Sequence, residues 1–445
     1  MLCFCRRFHF PRLGLEGHVG AQFNIGALYS NGKGVGGVPE SSTKAAMWYQ
    51  KAADQGLACA QFEVGRLYDR GRGLPQSFEE AARWYRKAAD QGNAAAQCSL
   101  AIYYAEGRGV RQSFEQAMEW YRKSADQDNA HAQLNIGNLY AAGQGRRQNY
   151  KEAAGWWCKA ANKGVPTAQF NLGTLYDRGQ GVRQSYRDAV RWYRKAADQG
   201  CSDAQQNLAS LYDHGRGVKQ SDEEAVRWWR RAADQGEEVA QYNLGSKYLS
   251  GEGVPQSSEE AVRWYRKAAD QGNAEAQYTL GVFLNQGKGL RLSFEEAACW
   301  YRKAADQGHS NAQFNLANYY ALGRGVLQNF EEAARWWRKA ADQGDAAAQL
   351  NLGNVYHTGQ GVPQNFDESA RWWRKAAGQG LAAAQLSLGN SYNIGQGSRQ
   401  SSTEAARWWR AAAEKGCREA QLKLDSLAPA ELTPGTKKKK KKKKK

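Results

Sequence analysis

Proline is scarce in this chain, at 8 of 445 residues. With so little Pro and so much Ala and aromatic residue, the chain is neither collagen-like nor compositionally disordered. No run of 18 or more apolar residues occurs, so no segment reads as a transmembrane helix. The six His stand at 9, 18, 131, 214, 309 and 357, and no two share a helical i, i+3 or i, i+4 spacing. No Cys-x-x-Cys occurs among the eight Cys, so metal ligands are not expected. Cys3-x-Cys5 stands alone, and the other six are scattered singly, the usage of reduced thiols in a cytoplasmic setting. There is no G-x-S-x-G, no P-loop, and no G-x-G-x-x-G following a strand. The sequence therefore offers no catalytic residue, metal or cofactor, and a non-enzymatic protein is expected.

What the chain has in excess is Gly (48) and Trp (16), and both follow from repetition. The Gln of an Ala-Gln pair recurs at 22, 61, 97, 133, 169, 205, 241, 277, 313, 349, 385 and 421. The first interval is 39 residues and the other ten are 36, the extra three falling around Gly36-Gly37-Val38. A length suited to about three ordinary domains thus holds eleven copies of one unit and a half copy.

Each unit predicts two helices. In the unit anchored at Gln169, Ala168, Leu172, Leu175 and Tyr176 fall on one helical face. Ala189, Trp192, Tyr193, Ala196 and Ala197 fall on another. Gly179-Gln180-Gly181-Val182 makes the turn between them, and positive φ is expected at both Gly. Ser77-x-x-Glu80, Ser257-x-x-Glu260 and their relatives read as capping boxes, in which the acid also reaches back to the cap amide. Gly92 or Gly200 ends the second helix, with Asp128 the exception. Gly173 becomes Ala at 101, 209 and 317 in other copies, so that position demands small size. Every second helix carries one Trp and five carry a second, which accounts for all sixteen. Each buried ring is worth roughly 4–6 kcal/mol before entropy is counted. Glu79 to Arg83 and Arg86 to Asp90 are spaced for i, i+4 pairing on a solvated face.

The pattern A-x-x-x-L-G-x-x-Y…G-x-G-V…A-x-x-W-Y-x-x-A-A-x-x-G resembles the Sel-one-like repeat (SLR) family over about residues 20–427. Arg146 and Ser398 depart from its Val or Leu after the Gly pair, and looser turns are expected there. The resemblance implies an all-α, α/α superhelical solenoid related to tetratricopeptide repeats. The expected organisation is an irregular segment 1–17, a solenoid 18–427, a linker 428–436 and a poly-Lys tail 437–445. Helix spacing of about 8–10 Å sets a span on the order of 100 Å.

The resemblance also implies function. Members act as scaffolds and adaptors that bind proteins or extended peptide segments. Some serve an endoplasmic-reticulum quality-control ubiquitin ligase. A cysteine-rich branch is linked to β-lactamase-like hydrolysis, but no unit here holds the Cys pair it would need. A scaffold is the expected function, with the other two as alternatives. An apolar row one residue past the anchor lies beside a variable row five past it. Together they nominate Phe62, Arg66, Phe170, Thr174, Tyr242, Ser246, Tyr278, Phe314, Asn318 and Asn354 as partner-binding residues. The competing reading is that the apolar row packs against the next repeat.

The formal charge of +18 falls to +9 once Lys437–Lys445 are set aside. That run reads either as an address or as attraction to nucleic acid or anionic membrane. It reads equally as a translated poly(A) tract, since AAA encodes Lys. Arg6-Arg7 interrupt any signal-like stretch, and the array starts at a first helix with no second helix before it. A longer upstream chain is consistent with that start.

Overall fold

The computed structural model describes residues 17–31 and 40–426. The expectations for most of 1–17, the insertion at 36–38, the linker and the poly-Lys tail lie outside the described residues. Within them are 23 α-helices and no strand, from Val19–Asn31 to Arg418–Asp425. First and second helices alternate, with Pro166–Arg178 and Tyr186–Asp198 forming the pair anchored at Gln169. The chain divides into two compact units, Met1–Trp228 and Trp229–Lys445.

The two loop glycines do different jobs. Gly179 adopts φ 68° and its amide donates to the Leu175 carbonyl, closing the first helix with a left-handed cap. Gly181 also has positive φ, at 70°. A Cβ there would stand 2.3 Å from the Tyr150 carbonyl carbon, on the preceding repeat's second helix. Its hydrogen therefore admits the neighbouring backbone. Asp128 holds φ 69° where other repeats have Gly.

The caps form only in part as expected. Ser77 Oγ accepts the Glu80 amide at 3.2 Å. The returning half is absent, because the Ser77 amide already donates to the Tyr68 carbonyl at 3.1 Å. Glu80 instead takes Arg83 at 2.6 Å, and Glu260 takes Arg263 at 2.5 Å. The expected Glu79–Arg83 pair is thus replaced by an i, i+3 pair. Arg86 turns from Asp90 to the Tyr104 hydroxyl of the next repeat.

In the first unit, Ala168, Leu172 and Leu175 are buried against second-helix Ala and Trp side chains. In the second unit, Leu280, Leu316, Leu352 and Leu388 are each fully buried. Gly173 packs under a ring: a Cβ would lie 2.7 Å from Tyr193 Cδ1. That is the small-size demand read from the sequence. Trp192 is buried with Lys195 Nζ 4.3 Å above its ring, an arrangement repeated at Trp84, Trp264 and Trp372.

The anchor Gln is buried and joins three successive helices. Gln169 Nε2 donates to the Ala161 carbonyl at 3.1 Å, and its Oε1 accepts from Gln199 Nε2 at 2.8 Å. In the second unit Gln277 binds Ala269 and Gln307 in the same way.

At Ser398 the turn has its own partner. Ser391 Oγ and Ser398 Oγ lie 3.2 Å apart, so a polar pair stands where most repeats have apolar residues, such as Leu175 and Val182.

Candidate functional site

The nominated residues lie along the exposed side of the first helices. Phe62, Phe170, Tyr242, Tyr278 and Phe314 are half-buried. Phe170 packs on Tyr193 of its own repeat, with centroids 5.8 Å apart. Phe62 packs likewise on Tyr85, and Tyr242 on Tyr265. Tyr278 packs on Tyr301 and also stacks on His309 at 4.5 Å. The apolar row thus rests on the second helix and keeps one edge open.

The row five past the anchor faces the same aromatic. The Tyr193 hydroxyl donates to Thr174 Oγ1 at 3.2 Å, and Ser246 Oγ meets the Tyr265 hydroxyl at 3.0 Å. Trp337 Nε1 donates to Asn318 Oδ1, and Trp373 Nε1 to Asn354 Oδ1, both at 3.0 Å. Asn138 and Asn390 serve Trp157 and Trp409 in the same way. Asn therefore accompanies Trp at four positions, with Ser210 before Trp229 the departure, whereas the positions before Tyr are mixed: Thr174 and Ser246, but also Ile102 and Val282. Arg66, before Tyr85, is held by Glu63 at 2.9 Å. Burial raises the Tyr193 pKa, and the Thr174 hydrogen bond opposes that rise.

A second polar row went unnoticed in the sequence. Asn171 Nδ2 reaches Asn138 Oδ1 at 3.4 Å, and Asn351 reaches Asn318 at 3.4 Å. These carboxamides stand two past the anchor and link adjacent first helices within a unit. The signal was available: Asn recurs there at 24, 135, 171, 207, 243, 315 and 351.

The rows border an open groove that recurs. In the first unit, a groove of about 360 Å³ is lined by Phe170, Asn171, Thr174, Asp177, Tyr193 and Asn207. In the second unit, a groove of about 370 Å³ is lined by Asn354, Trp373, Ser387, Asn390 and Asn393. Their linings share most repeat positions. Burial lifts the Asp177 carboxyl above its ordinary range, with Arg178 and Arg216 opposing. The rim thus offers amide donors and acceptors over aromatic edges, and no nucleophile–base pair.

Among the described residues no three His, Cys, Asp or Glu gather as a metal site. No described helix is long and apolar enough to cross a membrane. Cys59, Cys98, Cys158, Cys299 and Cys417 are free thiols.

Alternating thirteen-residue helices, glycine-closed turns and repeat-to-repeat Gln bonds define a helical-repeat solenoid protein. The Sel1 repeat pattern matches residues 19–57, 60–93, 94–129, 130–165, 166–201, 202–237, 239–273, 274–309, 310–345, 346–381 and 382–417. The chain belongs to the Sel1 repeat family. It is similar to c5321, a protective antigen of uropathogenic Escherichia coli strains displaying an SLR fold. That similarity is 34% identity over 95% of this chain and 91% of that one, with a TM-score of 0.81. It is also similar to a Sel1 repeat protein from Oxalobacter formigenes, with 34% identity over 69% and 89% of the two chains and a TM-score of 0.56. No curated protein matches the chain. Repeat proteins of this kind generally mediate protein–protein interaction.

Proposed function

We propose that this chain is a non-enzymatic scaffold that holds an extended segment of a partner protein along its first-helix face. The recurrence of one groove at mostly shared repeat positions in each unit carries this reading. An extended strand exposes a donor and an acceptor at every residue, and the carboxamides of Asn171, Asn207 and Asn390 supply both. The half-buried Phe170 and Tyr278 offer ring edges to the strand's side chains. The working unit is the solenoid 18–427, without the tail 437–445, and the expected setting is cytoplasmic.

The test is site-specific. A photo-crosslinking residue is placed at Asn171 or Asn390, and separately at exposed Arg335 on a second helix, in the chain lacking residues 437–445. Native lysate is irradiated with each. Partner proteins should be captured from the two groove positions and not from Arg335. Phe170→Asp and Tyr278→Asp should abolish that capture. Undiminished capture by these two variants would reject the first-helix face as the binding surface.

A further inference from the structure

Positive charge is not spread evenly over the repeats. Residues 130–201, the fourth and fifth repeats, hold eleven Lys and Arg against four Asp and Glu, a net +7. That is most of the +9 left after the terminal lysines are set aside. On the second helices the acid two past the cap residue, Glu79 or Glu331 elsewhere, becomes Lys151 and Arg187. Lys151, Arg183, Arg187, Arg191, Arg194 and Lys195 are all exposed.

The fifth repeat also loses an internal neutralising contact. In six other repeats the Arg just before the Trp is paired with a Glu three residues back. Here that acid is Asp188, one methylene shorter. It turns back instead to accept the Ser185 hydroxyl at 2.7 Å. Arg191 is left without an ion pair among the described residues. Arg187, Arg191, Arg194 and Lys195 then share one stripe of the helix Tyr186–Asp198. They line an open groove of about 770 Å³ together with Asp188, Asp198 and the apolar Val190, Gly217 and Val218.

We infer that this second-helix groove binds an acidic segment of a partner protein, seated by an apolar side chain. Four cations against two acids, of which Asp188 is turned back onto Ser185, supply the charge complementarity. One feature favours a peptide over a nucleic acid. The nearby ring suited to base stacking, Trp192, is buried beneath Lys195. The apolar lining of Val190 and Val218 suits a Leu or Val side chain between carboxylates. The groove shares no lining residue with the first-helix groove around Phe170, so either can fail while the other stands.

The experiment uses the full chain and a fluorescein-labelled Glu/Leu peptide about a dozen residues long, read by anisotropy. Arg187→Glu/Arg191→Glu should weaken binding at least about tenfold. Arg266→Glu/Lys267→Glu changes net charge equally and should weaken it less than about twofold. Asp188→Glu changes no charge, yet lets the longer acid reach Arg191 and should weaken binding a few-fold. Circular dichroism checks that each variant folds. Equal losses in the two charge reversals would show attraction to net charge or tail alone and overturn the site. An unaltered Asp188→Glu affinity would overturn the freed-arginine argument. A single-stranded oligonucleotide of matching charge that bound more tightly at these residues would overturn the acidic-segment assignment.

Discussion

The anchor Gln shows how one side chain fixes the repeat. Its buried oxygen needs a donor, and the Gln thirty residues later provides it. Two repeats replace that donor with Lys163 and Lys415. In both, the anchor oxygen, of Gln133 and of Gln385, has no partner. Lys415 donates instead to the Gly380 carbonyl. Lys415→Gln should restore both contacts, as Gln379 makes them to Gln349 and Gly344 at 2.9 Å. The expected gain is about 0.5–1.5 kcal/mol, read as slower amide exchange in Ala382–Ile394. Lys163→Gln should gain nothing, because Lys163 also pairs with Asp128 at its positive φ. The Gln–Gln contact was not legible beforehand. Both residues recur, but a period says nothing about which recurring residues meet.

The row beneath the second aromatic was partly legible. Its variability suggested ligand reading, whereas its Asn residues serve as acceptors for a Trp on the second helix. Asn318 and Asn354 sit nineteen residues before Trp337 and Trp373, and Thr174 nineteen before Tyr193. Comparing copies at that spacing would have exposed the pairing. Asn354→Thr leaves the Trp373 indole N–H without its acceptor and should cost about 1–3 kcal/mol in urea denaturation. Adding Trp373→Tyr should recover at least about 0.5 kcal/mol of that loss. Simple additivity of the two changes would mean the two side chains are not coupled.

At the scale of the helix, the sequence located starts and stops well because caps are local chemistry. Ser77, Asn329 and Gly179 cap where their residue types indicate. The capping box was overread, since the amide the acid would reach is consumed by the first helix. The two halves of the motif therefore separate experimentally. Ser77→Ala should cost about 1 kcal/mol, as the Glu80 amide loses its acceptor. Glu80→Gln should cost only a few tenths, because it loses an exposed i, i+3 pair with Arg83. Equal losses from the two would restore the reciprocal box. Gly181 teaches a related lesson. Positive φ was readable, but its contact with Tyr150 depends on how repeats stack.

At the scale of the molecule, the repeat count and helix class were legible because eleven copies repeat one hydrophobic pattern. The placement of charge was not, because a chain total hides where it accumulates. Burial makes a further property of the whole chain testable, its behaviour in alkali. The stacking that buries Tyr49 and Tyr319 raises both hydroxyls from the ordinary 10 to about 12. Desolvation also raises Tyr85, Tyr121 and Tyr301. Below pH 10 these groups are neutral whether folded or unfolded, so they add no pH dependence. Above pH 10 the unfolded chain releases their protons and the folded chain keeps them. The native state then binds more protons, and stability falls as pH rises. Thermal melts should show a steady Tm to about pH 9.5 and a steep fall between about 10 and 12. Absorbance of tyrosinate during the melt should rise with unfolding rather than before it. Full ionisation of these tyrosines in the folded chain near pH 10 would show that the rings are not desolvated as packed.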